Sequence, residues 1–233
     1  MDFGKSFVFM FQDPEWLRKL GIGTLVALLG LVLSPVLIGF IPLLMVWGYS
    51  LVALRNVMDG HEHPLPEWND FGGFLVFGIK LAVALFVWAL PAIVVALPLG
   101  IGTALLSNSQ NSSANAGGVS LLVCGSCLMI LWALLVALFT PAIYIRLART
   151  GRLGSAFAFG KLWELTRANL GSVIVAIVLV WLAGLIASIV APFGVLIVVI
   201  GLLITVPFAV FWPTLVQAHL FGQVGAASTI SVE

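Results

Sequence analysis

A chain of 233 residues that is 62% hydrophobic and only 8% charged falls well outside the composition of soluble domains, which carry about 25% charged residues. A soluble fold of this composition would expose large apolar patches and aggregate. The composition therefore indicates an all-α integral membrane protein whose apolar surface is surrounded by lipid. The formal net charge of +1 gives no support for nucleic acid as a partner.

Charged residues leave three charge-free blocks along the chain, residues 20–54, 81–145 and 168–232. One membrane helix needs about 20 residues, so each of the two longer blocks fits two spans with a connection between them. Residues 107–120, rich in Ser and Asn, predict a loop in the middle of the second block. Residues 192–194, Pro-Phe-Gly, predict a tight turn in the third.

The first block is short for two spans, but its flanking residues make two feasible. Asp13 is a candidate N-cap and Pro14 a candidate first helical residue. Ser34-Pro35 predicts the end of that helix, because a residue before proline disfavours the helical region. A second helix is then expected from Pro35 to Met58. The alternative is one kinked span with a re-entrant piece over residues 35–42.

Six spans place all the charged segments on one side of the bilayer. Lys and Arg mark the cytoplasmic side, so we expect a prokaryotic cytoplasmic (inner) membrane protein with both termini in the cytoplasm. The bilayer itself is then the first partner. Lys80, just inside the third predicted span, is expected to reach the interface by extending its side chain.

An internal repeat divides the single membrane domain, residues 1–233, into units of about 1–68, 69–151 and 152–233. Asp2-Phe3-Gly4 recurs as Asp70-Phe71-Gly72, and Phe159 matches Phe9 and Phe77 in the corresponding register. Each unit reads as an aromatic lead-in segment, a two-helix hairpin and an exit that ends in glycine. The exit glycines are Gly60, Gly151 and Gly222, which suit the left-handed end of a helix. The pattern predicts three pseudo-repeated hairpins.

The lead-in segments mix aromatic and basic side chains. Phe7 follows Lys5 by two residues, Trp16 precedes Arg18 by two, and Trp163 follows Lys161 by two. This mixture favours the headgroup region, so we predict short interfacial helices that lie on the membrane surface.

The segment between the second and third predicted spans contains Arg55, Asp59, Gly60, Pro64, Pro66, Trp68 and Asp70. With these residues it resembles the signature loop of an uncharacterised prokaryotic family of multi-pass membrane proteins, domain of unknown function 4013. The resemblance implies a membrane location and a similar architecture, and it brings no catalytic residues with it.

Two groups of side chains are candidates for chemistry. Asp59, His61, Glu62 and His63 are weak candidate metal ligands, although their spacing matches no established site and a hydrated loop explains them equally. Cys124 and Cys127 have the spacing of a redox pair or disulfide, although small residues there also suit close helix packing.

No catalytic or cofactor motif stands out, so neither an enzyme nor a bound cofactor is expected. The leading hypothesis is a non-catalytic scaffold or accessory subunit that associates with other membrane proteins or with itself. The alternative is a transporter or lipid-handling protein for a neutral or apolar substrate, built on proline-broken helices. A redox or metal sensor that uses the two groups above is the third hypothesis.

Overall fold

The computed structural model describes residues 2–108 and 112–228, with the side chains of residues 108, 112–114 and 196–200 left out of the description. Within these ranges the chain is helical and contains no strand. Among these described residues, six helices are long and apolar enough to cross a membrane, which is the number of spans that the sequence predicts.

The described residues form eight α-helices. They are α1 (Phe3–Val8), α2 (Trp16–Leu33), α3 (Phe40–Met58), α4 (Phe71–Asn108), α5 (Ser112–Thr150), α6 (Phe159–Ala168), α7 (Leu170–Val190) and α8 (Val198–Ala227). Short 3-10 segments at Phe9–Gln12, Ser34–Val36, Leu153–Phe157 and Ala191–Ile197 connect several of them. The pairs α2–α3, α4–α5 and α7–α8 are the three predicted hairpins, whereas their origin as a repeat stays a prediction.

The first charge-free block forms two helices, and the single kinked span is wrong. A 3-10 turn at Ser34–Val36 separates α2 from α3, and Leu37 adopts a left-handed φ of 63°. The hydroxyl of Ser34 donates to the carbonyl of Gly30 at 2.6 Å. The start of α2 differs from the prediction, since the helix begins at Trp16 and Asp13 receives the backbone N–H of Glu15 at 2.8 Å.

The predicted loop at residues 107–120 is wrong wherever the structure describes it, because α4 continues to Asn108 and α5 already begins at Ser112. Residues 109–111 of that prediction lie outside the described residues. Small polar side chains there bond to the preceding turn of their own helix. Ser107 donates to the carbonyl of Ala104 at 3.2 Å, and Ser120 to that of Ala116 at 2.9 Å. Because carbonyls of their own helix satisfy these hydroxyls, the two serines are accommodated within the helices and do not end them.

Close backbone contact holds α4 and α5 together near the end of the hairpin. A β-carbon added at Gly102 would lie 2.9 Å from the carbonyl oxygen of Gly118, and one added at Gly118 would lie 3.0 Å from that of Gly102. Small residues allow this approach, as in other membrane helix pairs. Three prolines, Pro91, Pro98 and Pro141, lie inside these two helices without ending them.

The exit glycines agree with the prediction at two places of three. Gly60, after α3, and Gly151, after α5, have φ values of 76° and 63°. Gly222 instead lies inside α8, where a β-carbon would meet the side chain of Val57 at 2.6 Å. The third exit glycine therefore serves helix packing, and the prediction of a helix end at Gly222 is wrong.

α3 lies at the centre of the bundle and packs against α2, α4 and α8. A β-carbon at Gly48 would collide with the carbonyl of Phe74, and one at Gly78 with the carbonyl of Leu44. Tyr49 is fully buried. The predicted lead-in segments form α1, the start of α4 and α6, while their position on a membrane surface stays a prediction.

Candidate functional site

Contacts between distant parts of the chain gather the charged segments at one end of the bundle, here called the polar end. The backbone N–H of Asp2 donates to Gln223 Oε1 at 2.8 Å, which places the start of the chain beside the end of α8. Lys80 Nζ donates to the carbonyl of Gly151 at 2.7 Å, so the beginning of α4 and the end of α5 also meet.

A buried ion pair lies under the polar end. Lys19 Nζ lies 2.8 Å from Asp13 Oδ2, and their side chains are only 8% and 2% exposed. The same ammonium donates to the carbonyl of Leu65 at 3.0 Å and lies 3.1 Å from Glu67 Oε1. Three oxygens thus satisfy the three N–H donors of the buried ammonium group, and they join α2 to the loop that follows α3.

The loop over residues 59–70, the signature loop, is held by further specific contacts. The indole of Trp68 stacks on Tyr49, with ring centroids 4.2 Å apart, and its N–H donates to the carbonyl of Lys19 at 2.9 Å. Tyr49 Oη donates to the carbonyl of Pro66 at 2.9 Å. The aromatic stack and the two hydrogen bonds fix the centre of the loop on α2 and α3.

The remaining signature residues are placed around this anchor. Asn56 Nδ2 donates to the carbonyl of Pro64 at 2.9 Å. Asp70 Oδ1 receives the backbone N–H of Gly73 at 2.8 Å, which caps the start of α4. Arg55 and Asp59 form an exposed pair at 3.9 Å. The loop residues that suggested a family resemblance therefore shape the loop through these contacts.

A cleft of about 340 Å³ opens beside the signature loop. Helix α1 and the 3-10 turn after it supply one side, the signature loop a second side, and α8 a third. Its polar lining consists of Asp2, Lys5, Gln12, His61, Glu62, His219 and Gln223. The cleft therefore combines both signs of charge with two imidazoles and two amides.

His219 is the most buried titratable group of this cleft, with 5% of its surface exposed. Its Nδ1 lies 2.9 Å from Gln223 Nε2 and 2.9 Å from Ser6 Oγ. An amide nitrogen only donates, so we assign Nδ1 as the acceptor and place the ring proton on Nε2. The ring stacks on Phe9, with centroids 4.3 Å apart. No described residue forms a hydrogen bond with Nε2.

Sequence reasoning did not single out His219, Lys19 or Tyr49. The signal for His219 was available, because it is the single histidine in the last charge-free block. An isolated polar side chain in a membrane segment points to the interior of the bundle. Its partners Ser6 and Gln223 are more than 200 residues apart in the chain, so no local pattern connects them.

The four candidate metal ligands are not brought together. Asp59, His61, Glu62 and His63 are all exposed, and of these only His61 and Glu62 line the cleft. Over residues 2–108 and 112–228, no group of three or more His, Cys, Asp or Glu side chains could hold a metal ion.

Cys124 and Cys127 are both free thiols on the exposed surface of α5. Between them, Gly125 packs on the side chain of Leu99, where a β-carbon would come within 2.8 Å. This contact matches the close-packing interpretation of the segment, and the structure forms no disulfide between the two cysteines.

Comparison with known proteins gives a family match. No curated protein and no solved structure matches the chain. A family described as a protein of unknown function (DUF4013) matches residues 30–193, which is more than half of the chain and includes the whole signature loop. The chain therefore belongs to the DUF4013 family, as the residues of that loop suggested.

Proposed function

We propose that this protein is a non-catalytic scaffold or accessory subunit of a membrane complex, in a prokaryotic cytoplasmic membrane with both termini in the cytoplasm. It binds other membrane proteins, or further copies of itself, through the sides of its helices. The observation that supports this proposal best is the exposure of the α4–α5 hairpin. In the apolar 18-residue stretch of each helix, only 17% of the residues of α4 and 6% of those of α5 are buried within the chain.

Large apolar side chains cover the outside of this hairpin. Val94 is 67% exposed, Leu97 64% and Leu131 63%. The apolar part of α4, residues 81–106, is about 39 Å long at 1.5 Å per residue, against a hydrocarbon thickness of about 30 Å. A helix longer than the bilayer core tilts, kinks or locally thickens the bilayer, and the cost of such mismatch drives some helix–helix association.

Three exposed glycines, two on the α4–α5 hairpin and one on α7, serve no packing inside the chain. A β-carbon at Gly100, Gly117 or Gly184 would meet no atom within 4 Å. Glycine disfavours a helix by about 1 kcal/mol relative to alanine, and in membranes small residues allow a second helix to approach closely. Open glycines on outer faces therefore support docking of another helix.

The proposal is tested by purification from native membranes in mild detergent, with mass spectrometry of co-migrating proteins. We expect a stoichiometric partner or self-association, and reduced association in the Gly100→Leu and Gly117→Leu variants. Gly154→Leu is the matched control, because Gly154 also has open space but lies outside the hairpin. A lone chain in all samples would contradict the proposal.

Lipid handling, or transport of a neutral or apolar substrate, is the second candidate function. An apolar groove of about 470 Å³ between α3 and α4 is lined by residues that include Phe40, Trp47 and Phe86. A second groove, of about 350 Å³, lies between α2 and α8. Each groove draws on two of the proposed repeats. A purified lone chain that retains a stoichiometric lipid or apolar molecule would favour this function over the scaffold.

A further inference from the structure

We propose that the cleft at the polar end binds a small zwitterion, a molecule with an ammonium group and an oxyanion such as phosphoethanolamine. Its volume of about 340 Å³ falls within the range of small-molecule sites. This inference goes beyond the proposed packing role, since it gives the polar end a ligand of its own whether or not the helices bind a partner.

The two charges that would hold the ligand come from different elements. Helix α1 supplies Lys5, and the signature loop supplies Glu62. Both side chains are exposed, and neither forms an ion pair with any residue that the structure describes. Two opposite charges therefore line one cleft without neutralising each other.

The buried wall of the cleft adds an oriented donor. Ser6 and Gln223 hold Nδ1 of His219, and Phe9 covers the ring, so the tautomer leaves Nε2 as a donor. This donor has no partner among the described residues, and His219 lines the cleft. An oxyanion placed near Lys5 would accept from this donor as well.

Asp2 is less available for a ligand than Glu62, because Asp2 Oδ1 already receives the backbone N–H of Lys5 at 3.0 Å. Glu62 is therefore the main site for an ammonium group. A simple anion would satisfy Lys5 but face the carboxylate of Glu62, and a simple cation would face the ammonium of Lys5. A zwitterion satisfies both, with charge-assisted hydrogen bonds at each end.

The first measurement is calorimetric titration of the full-length protein, in nanodiscs of phosphatidylglycerol, with phosphoethanolamine. Inorganic phosphate and ethanolamine are titrated separately as the two halves of the ligand. We expect phosphoethanolamine to bind at least about tenfold more tightly than either half, because each charged contact adds affinity.

Two variants test the assigned charges. Lys5→Gln and Glu62→Gln should each weaken binding about tenfold or more. Since both side chains are exposed and form no ion pair with a described residue, the free energy of unfolding of the two variants should equal that of the wild-type protein. Glu164→Gln, an exposed carboxylate on α6, is the matched control and should bind as the wild-type protein does.

A lipid headgroup could supply the same chemistry, and a second measurement separates the two sources. Native mass spectrometry is applied to protein from mixed phosphatidylethanolamine and phosphatidylglycerol nanodiscs. Selective retention of phosphatidylethanolamine that is lost in Glu62→Gln identifies a lipid headgroup, whereas binding of the soluble compound alone identifies a free small molecule. Absence of both, or binding that is unchanged in both charge variants, would overturn the proposal.

Discussion

Replacing Lys19 by Met removes the cation from the buried ion pair under the signature loop. The carboxylate of Asp13, with a side chain only 2% exposed, then loses its contact at 2.8 Å. The carbonyl of Leu65 also loses its donor at 3.0 Å. Breaking a buried pair by removing one partner costs about 3–5 kcal/mol, because it leaves an uncompensated buried charge. We therefore expect Lys19→Met to lower the free energy of unfolding by about that amount.

The assay is equilibrium unfolding in mixed micelles of mild detergent and dodecyl sulfate, followed by tryptophan fluorescence. Trp68, one of the eight tryptophans of the chain, lies in this region, where its indole N–H donates to the carbonyl of Lys19 and its ring stacks on Tyr49. The change in unfolding free energy is read from the shift of the transition at constant slope.

Two further variants isolate the cause. Arg18→Gln removes a neighbouring cation whose side chain is 58% exposed and which pairs with Glu15 and Glu67. An exposed pair contributes about 0–1 kcal/mol, so this variant should unfold nearly as the wild type. The double variant Lys19→Met with Asp13→Asn should recover most of the loss, since no buried charge remains. If Lys19→Met costs no more than Arg18→Gln, the ion pair does not stabilise the loop.

Three other predictions use the same unfolding assay or a topology assay. Gly48→Ala should destabilise the protein by about 1–3 kcal/mol, because the added β-carbon would collide with the carbonyl of Phe74. Gly21→Ala is the control and should not destabilise it, because no atom lies within 4 Å of a β-carbon at Gly21. Equal stability of the two variants would disprove the close approach of α3 and α4. Gly151→Ala should cost about 1–2 kcal/mol, because a side chain strains the left-handed backbone at φ 63°, and an unchanged transition would argue against that helix end. Reporter fusions at the two chain ends should both be active in the cytoplasm, and reporters on opposite sides would contradict six spans.

Local sequence signals predicted the hairpins where a strong helix breaker was present. Pro35, directly after Ser34, separates α2 from α3, because a residue before proline disfavours the helical region. The same reasoning failed at residues 107–120, because serine and asparagine only weakly disfavour a helix. The predicted helix end at Gly222 was wrong for a related reason, since a glycine at the end of a sequence pattern can mark either a helix end or a close contact between helices.

The candidate site was predictable only in part. The signature loop was recognised from its own residues, but the contacts that hold it come from Lys19 and Tyr49, which lie in the two preceding helices. His219 meets Ser6 from the opposite end of the chain. The individual residues were visible in the sequence, while their proximity was not.

The sequence by itself determined that this is a multi-pass helical membrane protein with its charged segments before and between the predicted hairpins. These properties follow from composition and from the length of apolar segments, which depend only on neighbouring residues. The tertiary structure decided which polar groups share a cleft, which glycines are packing contacts and which charges are buried. Those properties depend on how separate helices pack, and the energy of burying Lys19 or His219 is set by partners that the fold brings together.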